Sequence, residues 1–191
     1  MLCINCTLYA EQKILLLGDS LSAAYGIPKE QSWVNLLRNK LKQIDPEFEI
    51  INASITGSTT ANGLKQLPEL LKSHQPDWVL LELGGNDGLR GLSLKSMKIN
   101  LEKMIKLSKN AGAKVILIGI KIPPNYGPVY TRMFDKVYSQ LSKQYDLPLV
   151  PFLLKDVAIK PELMLPDRLH PNEKAQPIIF NTVWQTIKSN F

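Results

Sequence analysis

The sequence predicts an α/β fold in which a parallel sheet lies between two layers of helices. Short, continuous apolar runs alternate with longer segments of helical periodicity. Runs of this kind suit strands that are buried on both faces. The length of 191 residues suits one domain with one hydrophobic core. Strands that alternate with helices in this way form a parallel sheet in a three-layer sandwich.

Five apolar runs are the predicted strands. They span residues 13–17, 49–53, 78–83, 114–120 and 148–152, of which the last is the weakest. Between them, apolar side chains recur three and four residues apart, as they do along one face of a helix. Helices are predicted for residues 32–44, for a segment that starts at 94 and stops at 110–112, for a segment around 134–141 and for the final 178–187. The stretch that ends at His74 is also predicted to be helical.

Composition excludes several classes of function. The net charge is +6, but the lysines are scattered along helical segments, which argues against nucleic-acid binding. Cys3 and Cys6 are the only cysteines and there are two histidines, so no disulfide, thiolate metal site or histidine-rich metal cluster is expected in the body of the fold. No segment has about 20 consecutive apolar residues, so no membrane span is predicted.

Residues 1–10 are apolar and uncharged, and Glu11 follows them directly. They resemble the end of a signal peptide that is cut after Ala10, which predicts a periplasmic or secreted protein. A basic region is missing and the apolar part is short. The alternative is therefore a short extension on a cytoplasmic protein. Residues 11–191 are predicted to form a single domain.

Small and polar residues gather where the predicted strands end. Residues 18–20, 54–57 and 84–87 each follow a strand, and a fourth polar segment, residues 167–170, precedes the last helix. Ligands bind at the carboxyl ends of the strands in open α/β sheets. The four segments therefore predict a reaction site at this edge.

Two of these segments carry groups that can transfer a proton. Ser20 places a hydroxyl at a strand-to-helix corner, where unpaired N–H groups stabilise an anion. Asp167 stands three residues before His170, so its carboxylate can fix the imidazole tautomer. The alternatives are a helix N-cap for Ser20, and a capping aspartate beside a surface histidine.

The other two segments carry hydrogen-bond donors. Asn86 follows two glycines at the end of an almost wholly apolar strand, and its amide can donate two hydrogen bonds into a cleft. Gly57 can offer a backbone N–H with no side chain in the way. Both residue types are also common in ordinary turns. Glu82 lies within the third strand, and the sequence suggests no function for it.

The four segments, in this order, resemble those of the SGNH (GDSL-type) hydrolases. The matching stretches are GDSLS from Gly18, ASITG ending at Gly57, GGND around Asn86 and DRLHPN from Asp167. The resemblance implies a flavodoxin-like sandwich with five parallel strands. It also implies that Ser20 is the nucleophile, His170 its base, and Asp167 the residue that orients His170. The oxyanion hole would consist of the Ser20 and Gly57 N–H groups and the Asn86 side chain.

The resemblance also implies where an acyl pocket lies. Its borders would be residues 87–92 and 124–130, which gives the predicted substrate-binding residues Asp87, Gly88, Leu89, Arg90, Pro124 and Tyr126. One departure is Ser58, where related sequences commonly carry an acidic residue. The protein is expected to act as a monomer and to need no metal or organic cofactor.

The function that these expectations favour is hydrolysis of acyl esters and acyl thioesters through an acyl-enzyme on Ser20. Acyl-CoA, lysophospholipids and aryl esters are the candidate small-molecule substrates. One alternative is a carbohydrate O-deacetylase of the same superfamily, which would favour acetyl groups on sugars. Another is a non-enzymatic protein that binds acyl chains or lipids, although binding alone needs no base beside a serine.

Overall fold

A computed structural model of the chain describes residues 12–190. The signal peptide or extension predicted for residues 1–10 lies outside the described residues, so export stays a prediction. The strands are β1 (Gln12–Gly18), β2 (Phe48–Asn52), β3 (Trp78–Glu82), β4 (Lys114–Ile118) and β5 (Leu149–Val150). The helices are α1 (Trp33–Ile44), α2 (Thr60–His74), α3 (Gly85–Leu89), α4 (Leu94–Asn110), α5 (Pro128–Tyr145) and α6 (Gln176–Ile187).

The five strands form one parallel sheet in the order β2-β1-β3-β4-β5. Helix α1 packs against α6, while α2 packs against α4 and α4 against α5. Because crossover connections between parallel strands are right-handed, this order places α1 and α6 on one face and the other long helices on the opposite face. The predicted α/β sandwich with five parallel strands is confirmed.

Strand β3 lies at the centre of the sheet and is buried along its whole length. Its neighbour β1 is buried from Ile14 onward, so the two strands carry the middle of the hydrophobic core. They are in register, with Gly18 opposite Glu82. The carboxyl ends of the two central strands therefore meet at one level, and the segments that follow them start side by side.

Strand β5 is shorter than predicted. The apolar run 148–152 predicts five residues, and the structure has two, Leu149–Val150. Pro148 and Pro151 flank this pair, and proline has no N–H to donate to a sheet. The other predicted strands agree with the observed ones to within one or two residues at each end.

Side chains cap the helices that begin near the carboxyl edge. The Ser32 hydroxyl accepts the N–H of Asn35 at the start of α1. Thr59 and Asn62 form a capping box at the start of α2, where each side chain accepts the other's backbone N–H. Within residues 12–190, no helix combines the length and the apolar character that a membrane span needs.

Candidate active site

Ser20 follows the end of β1 in a tight turn that neighbouring elements hold in place. The Trp33 indole donates a hydrogen bond to the Leu21 carbonyl at 3.0 Å. The Asn52 amide donates one to the Ser22 carbonyl at 2.8 Å. Helix α1 and strand β2 therefore fix the turn from two sides, so the Ser20 hydroxyl has a defined position at the carboxyl edge of the sheet.

The structure brings the Ser20 hydroxyl and the Asp167–His170 pair together. The Oγ atom of Ser20 lies 2.9 Å from Nε2 of His170. The Nδ1 atom of the same ring lies 2.7 Å from Oδ2 of Asp167. The imidazole therefore lies between a hydroxyl and a carboxylate, which is the arrangement a general base needs.

Asp167 is held in its charged form. Partial burial opposes ionisation, but the backbone N–H groups of His170 and Leu169 and the imidazole outweigh it, and the pKa of Asp167 falls to about 2. A carboxylate that stays ionised under all ordinary conditions can fix the imidazole tautomer and stabilise the ring when it accepts a proton.

The segment that carries His170 lies 150 residues after Ser20 and belongs to no strand of the sheet. The Leu165 N–H donates a hydrogen bond to the His170 carbonyl at 2.7 Å, and Met164 pairs with Pro171 in an isolated bridge. The ring of Tyr25 lies 4.4 Å from the imidazole, centre to centre. Local backbone pairing and this ring contact therefore hold the base in reach of the nucleophile.

Asn86 and Gly57 lie at the ends of β3 and β2, beside Ser20. Asn86 is the second residue of the short helix α3, and its Nδ2 atom donates a hydrogen bond to Oδ2 of Asp19 at 3.1 Å. Its second amide hydrogen is available for another acceptor. Gly57 has a φ of 79°, a conformation that suits glycine because it has no Cβ. Ser20, Gly57 and Asn86 all line one pocket.

A pair of buried carboxyl groups lies beneath the Ser20 turn. Oε2 of Glu82 accepts the Asp19 N–H at 3.2 Å and the Ser22 hydroxyl at 2.7 Å, whereas its Oε1 is buried without a hydrogen-bond partner. Burial and the neighbouring Asp19 charge raise the pKa of Glu82 well above its usual range. Burial also raises the pKa of Asp19, to about 6, although hydrogen bonds from the Leu21 N–H and the Asn86 amide oppose this rise. Burial and mutual repulsion therefore disfavour two charges at once in this pair of carboxyl groups.

The pocket beside Ser20 has a volume of about 230 Å³. Its walls are mostly apolar and come from loops at the carboxyl ends of the strands. The apolar lining residues are Leu21, Tyr25, Leu89, Ile120, Ile122, Pro123, Leu154 and Leu169. The pocket can therefore exclude water from an acyl chain that lies next to the Ser20 hydroxyl.

The structure places the six predicted substrate-binding residues in and around the pocket wall. Of the six predicted substrate-binding residues, only Leu89 lies in that wall. Asp87 is buried, and its carboxylate accepts both the N–H and the hydroxyl of Thr60 at the start of α2. Gly88 is also buried, against Ile122 and Phe134, where a Cβ would approach both to 2.6 Å. Because α3 turns these two residues inward, neither lines the pocket.

Two of the other three predicted residues support the pocket wall from outside. The Arg90 guanidinium donates to the Gly57 carbonyl at 2.9 Å. The Tyr126 hydroxyl donates to the Leu89 carbonyl at 2.8 Å. Pro123 lines the pocket where Pro124 was predicted to do so. Arg90 and Tyr126 therefore lie one step behind the wall.

The sequence reasoning missed several wall residues. Tyr25, Ile120, Ile122 and Leu154 line the pocket and were not predicted. All four lie in segments that follow a strand end, and three come after β1 or β4. That position is the only signal in the sequence that pointed to them, because loop conformation decides which side chains turn inward.

The site places a hydroxyl, an imidazole and a carboxylate in series, at the carboxyl edge of a parallel sheet and beside an apolar pocket. This is the arrangement of a serine hydrolase. The fold and the site therefore define that class. The chain belongs to the GDSL-like lipase/acylhydrolase family, whose sequence profile matches residues 16–177.

Individual relatives agree with this assignment. An arylesterase of Vibrio mimicus is 48% identical over 185 residues, which covers 97% of this chain and 92% of that protein. The thioesterase 1/protease 1/lysophospholipase L1 of Escherichia coli is 44% identical over 170 residues, 89% of this chain and 80% of that protein. The crystal structure of TesA is similar with a TM-score of 0.91 and 43% identity, over 94% of this chain and 100% of that one. The predicted family and the predicted hydrolase activity are confirmed.

Proposed function

We propose that this protein hydrolyses acyl esters and acyl thioesters through an acyl-enzyme on Ser20. The observation that carries the proposal is the series of contacts from Ser20 Oγ to His170 Nε2, at 2.9 Å, and from His170 Nδ1 to Asp167 Oδ2, at 2.7 Å. This series lies at the mouth of an apolar pocket that can hold the acyl chain.

The reaction proceeds in two halves. The Ser20 oxygen forms a bond to the acyl carbonyl carbon while its proton passes to Nε2 of His170. The C–O or C–S bond to the leaving group then breaks, and His170 returns the proton to the departing oxygen or sulfur. In the second half a water molecule attacks the acyl-serine ester, again with His170 as base, and releases the carboxylic acid and Ser20.

The negative charge that develops on the carbonyl oxygen is stabilised by fixed donors. These are the N–H groups of Ser20 and Gly57 and the Asn86 amide, all of which border the pocket. Preorganised donors of this kind contribute a large share of the rate enhancement in acyl transfer. Asp19 orients Asn86 by accepting one of its two amide hydrogens.

The apolar pocket walls favour an acyl chain over a sugar as the group held beside Ser20. Each buried methylene contributes about 0.8 kcal/mol, or roughly fourfold in kcat/KM, until the pocket is full. We therefore expect kcat/KM to rise with chain length above acetyl. A preference for acetyl groups on sugars would instead indicate an O-deacetylase. The names of the relatives support aryl esters, long-chain thioesters and lysophospholipids as substrates to compare.

The test is covalent labelling together with turnover. A p-nitrophenyl phosphonate ester should modify Ser20, and mass spectrometry of the peptides should locate the adduct there. Ser20→Ala should not form the adduct. Its kcat for p-nitrophenyl acyl esters should fall by at least about 10⁴-fold, and its unfolding transition should be unchanged. The control is Ser73→Ala, an exposed serine near the end of α2, which should keep both. Labelling of Ser20→Ala at the rate of the parent protein would refute the proposal.

A further inference from the structure

Exposed apolar side chains are concentrated around the mouth of the pocket. Within residues 12–190, eleven large apolar side chains are exposed. Seven of these lie at or beside the mouth: Tyr25 in the pocket wall, and six residues that we call the apolar rim, which are Ile55, Leu92, Tyr126, Val129, Met133 and Leu169. Apolar side chains gathered in one region of a surface mark a site of interaction, whereas single scattered ones do not.

Hydrogen bonds tie the rim segments to the pocket. The Tyr126 hydroxyl donates to the Leu89 carbonyl, and the Tyr130 hydroxyl donates to that of Leu92 at 3.3 Å, so the start of α5 is fixed to the loop after α3. On the next turn of α5, Val129 and Met133 are 62% and 56% exposed. They are four residues apart and share one face of the helix.

The remaining rim residues adjoin the pocket directly. Leu169 lies in the pocket wall although it is also exposed. Ile55 is 53% exposed and precedes Thr56, another wall residue. The rim is therefore continuous with the apolar lining of the pocket.

The exposed charge of the rim is positive. Its segments are residues 54–58, 85–93, 121–133 and 165–170, and their three exposed arginines are Arg90, Arg132 and Arg168. Lys121 in the same segments lies 3.9 Å from Asp135. Each of the two carboxylates in these segments is hydrogen-bonded within the protein, Asp87 to Thr60 and Asp167 to His170.

We propose that the apolar rim is a docking face for an anionic phospholipid surface. At such a surface the apolar side chains enter the region between headgroups and acyl chains, and the arginines meet the lipid phosphates. The combination of apolar side chains with three exposed arginines, against two carboxylates that are each bound within the protein, favours this occupant over a protein surface. The docked enzyme would present its pocket mouth to esters in the lipid layer. This last point rests on the proposed function, whereas the docking itself does not.

The test measures binding without turnover. The full chain carrying Ser20→Ala is mixed with sedimenting vesicles of phosphatidylcholine alone, or with vesicles in which roughly one lipid in three is phosphatidylglycerol. Ser20→Ala should bind the anionic vesicles at least about tenfold more tightly than the neutral ones, and added salt should weaken that binding.

Two matched variants locate the docking face. Adding Val129→Asp and Met133→Asp should weaken binding to anionic vesicles at least about tenfold. The control adds Ile99→Asp and Leu107→Asp on the exposed side of α4, which removes the same number of exposed apolar side chains and adds the same charge. This control should bind within about twofold of Ser20→Ala because its new charges lie away from the lipid surface. Arg132→Gln should cost about fivefold on anionic vesicles, the effect of one arginine near such a surface.

Two results would overturn the proposal: equal binding of Ser20→Ala to both kinds of vesicle, and equal loss in the two double variants. In the active chain, Val129→Asp/Met133→Asp should keep kcat/KM for a water-soluble short-chain ester within about twofold. A large loss there would mean that these residues belong to the pocket and not to a docking face. If the parent protein did not hydrolyse the soluble ester at all, the proposed function would fail while the vesicle result would stand by itself.

Discussion

The guanidinium of Arg90 donates a hydrogen bond to the backbone carbonyl of Gly57 at 2.9 Å. This bond joins the loop after β3, which carries Asn86, to the loop after β2, which carries the Gly57 N–H. The two donors that flank Ser20 are therefore fixed relative to one another through Arg90. The sequence predicted contact with substrate for this residue, and the structure gives its side chain a partner within the protein.

Arg90→Ala should lower kcat about tenfold and leave KM unchanged, because losing the support of a donor costs less than losing the donor itself. Arg90→Lys should recover part of the rate if its ammonium reaches the Gly57 carbonyl. The measurement is steady-state kinetics on a water-soluble neutral ester. Arg132→Ala, an exposed arginine on α5, is the control and should behave like the parent protein. A higher KM at constant kcat would instead assign Arg90 to substrate binding.

Asn86→Ala should lower kcat by about 10²- to 10³-fold, the usual effect of removing one oxyanion donor. The matched control is Asn62→Ala, which breaks the capping box of α2. That control should lower the free energy of unfolding by about 1 kcal/mol and leave kcat unchanged. Stopped-flow acylation rates and chemical denaturation separate the two effects. An Asn86→Ala rate within twofold of the parent protein would remove Asn86 from the oxyanion hole.

Asp167→Asn should lower kcat by about 10²- to 10⁴-fold, since an amide neither fixes the productive tautomer of His170 nor stabilises its protonated form. Because the pKa of Asp167 is about 2, its protonation should not affect the rate until the pH approaches that value. Steady-state rates at neutral pH check the first point, and the pH dependence of the Asp167 carboxyl chemical shift checks the second, with Asp156→Asn as a control at an exposed carboxylate. Full activity of Asp167→Asn would show that His170 needs no carboxylate.

Glu82→Gln should make the protein more stable than the parent at neutral and alkaline pH. The folded pKa of Glu82 is raised, so the parent's folded state binds a proton that its unfolded state releases above about pH 4.3. That stabilisation is complete below about pH 4.3 and is lost as the pH rises through the folded pKa, by up to about 1.4 kcal/mol per pH unit. Glutamine takes no part in this titration. Its oxygen at the Oε2 position keeps the hydrogen bonds from Asp19 and Ser22.

Denaturation curves from pH 4 to pH 8 measure this difference. Glu82→Ala is the informative contrast, because it leaves the Asp19 N–H and the Ser22 hydroxyl buried without an acceptor. It should be about 2–5 kcal/mol less stable than Glu82→Gln at every pH, because neither variant titrates at this position. A constant offset between Glu82→Gln and the parent protein across this range would show that Glu82 does not carry a raised pKa.

The sheet and the four polar segments were predictable because both depend on local pattern. Continuous apolar runs identify buried strands, and parallel strands must bring their carboxyl ends to one edge. Asp87 shows where this reasoning stops. The sequence places it beside Asn86, but the short helix α3 turns it toward the start of α2, where Thr60 supplies two donors. Only the packing of two distant segments decides between those orientations.

Glu82 shows a second limit. Sequence spacing does not identify the hydrogen-bond partners of a lone acidic residue in a central strand. The partners of Glu82 are Asp19 and Ser22, which lie about 60 residues away in the chain. Strand register brings Gly18 opposite Glu82, and a Cβ on Gly18 would approach Oε2 of Glu82 to 2.6 Å. The contact therefore depends on a glycine and a register that only the assembled sheet fixes.

The groups proposed for the chemistry and the leucines that shape the pocket are different residues, even where they are neighbours in the chain. Ser20, Gly57 and Asn86 follow the first three strands and are braced by buried neighbours. The wall residues Leu89, Leu154 and Leu169 take no part in the proposed chemistry, although Leu89 lies in the same short helix as Asn86 and Leu169 adjoins His170. Laboratory evolution can therefore explore new acyl preferences by randomising these three leucines while the reaction machinery is inherited intact. In such a library, diversity should survive at the leucine positions, and Gly18, if it is randomised too, should return as glycine in every active clone.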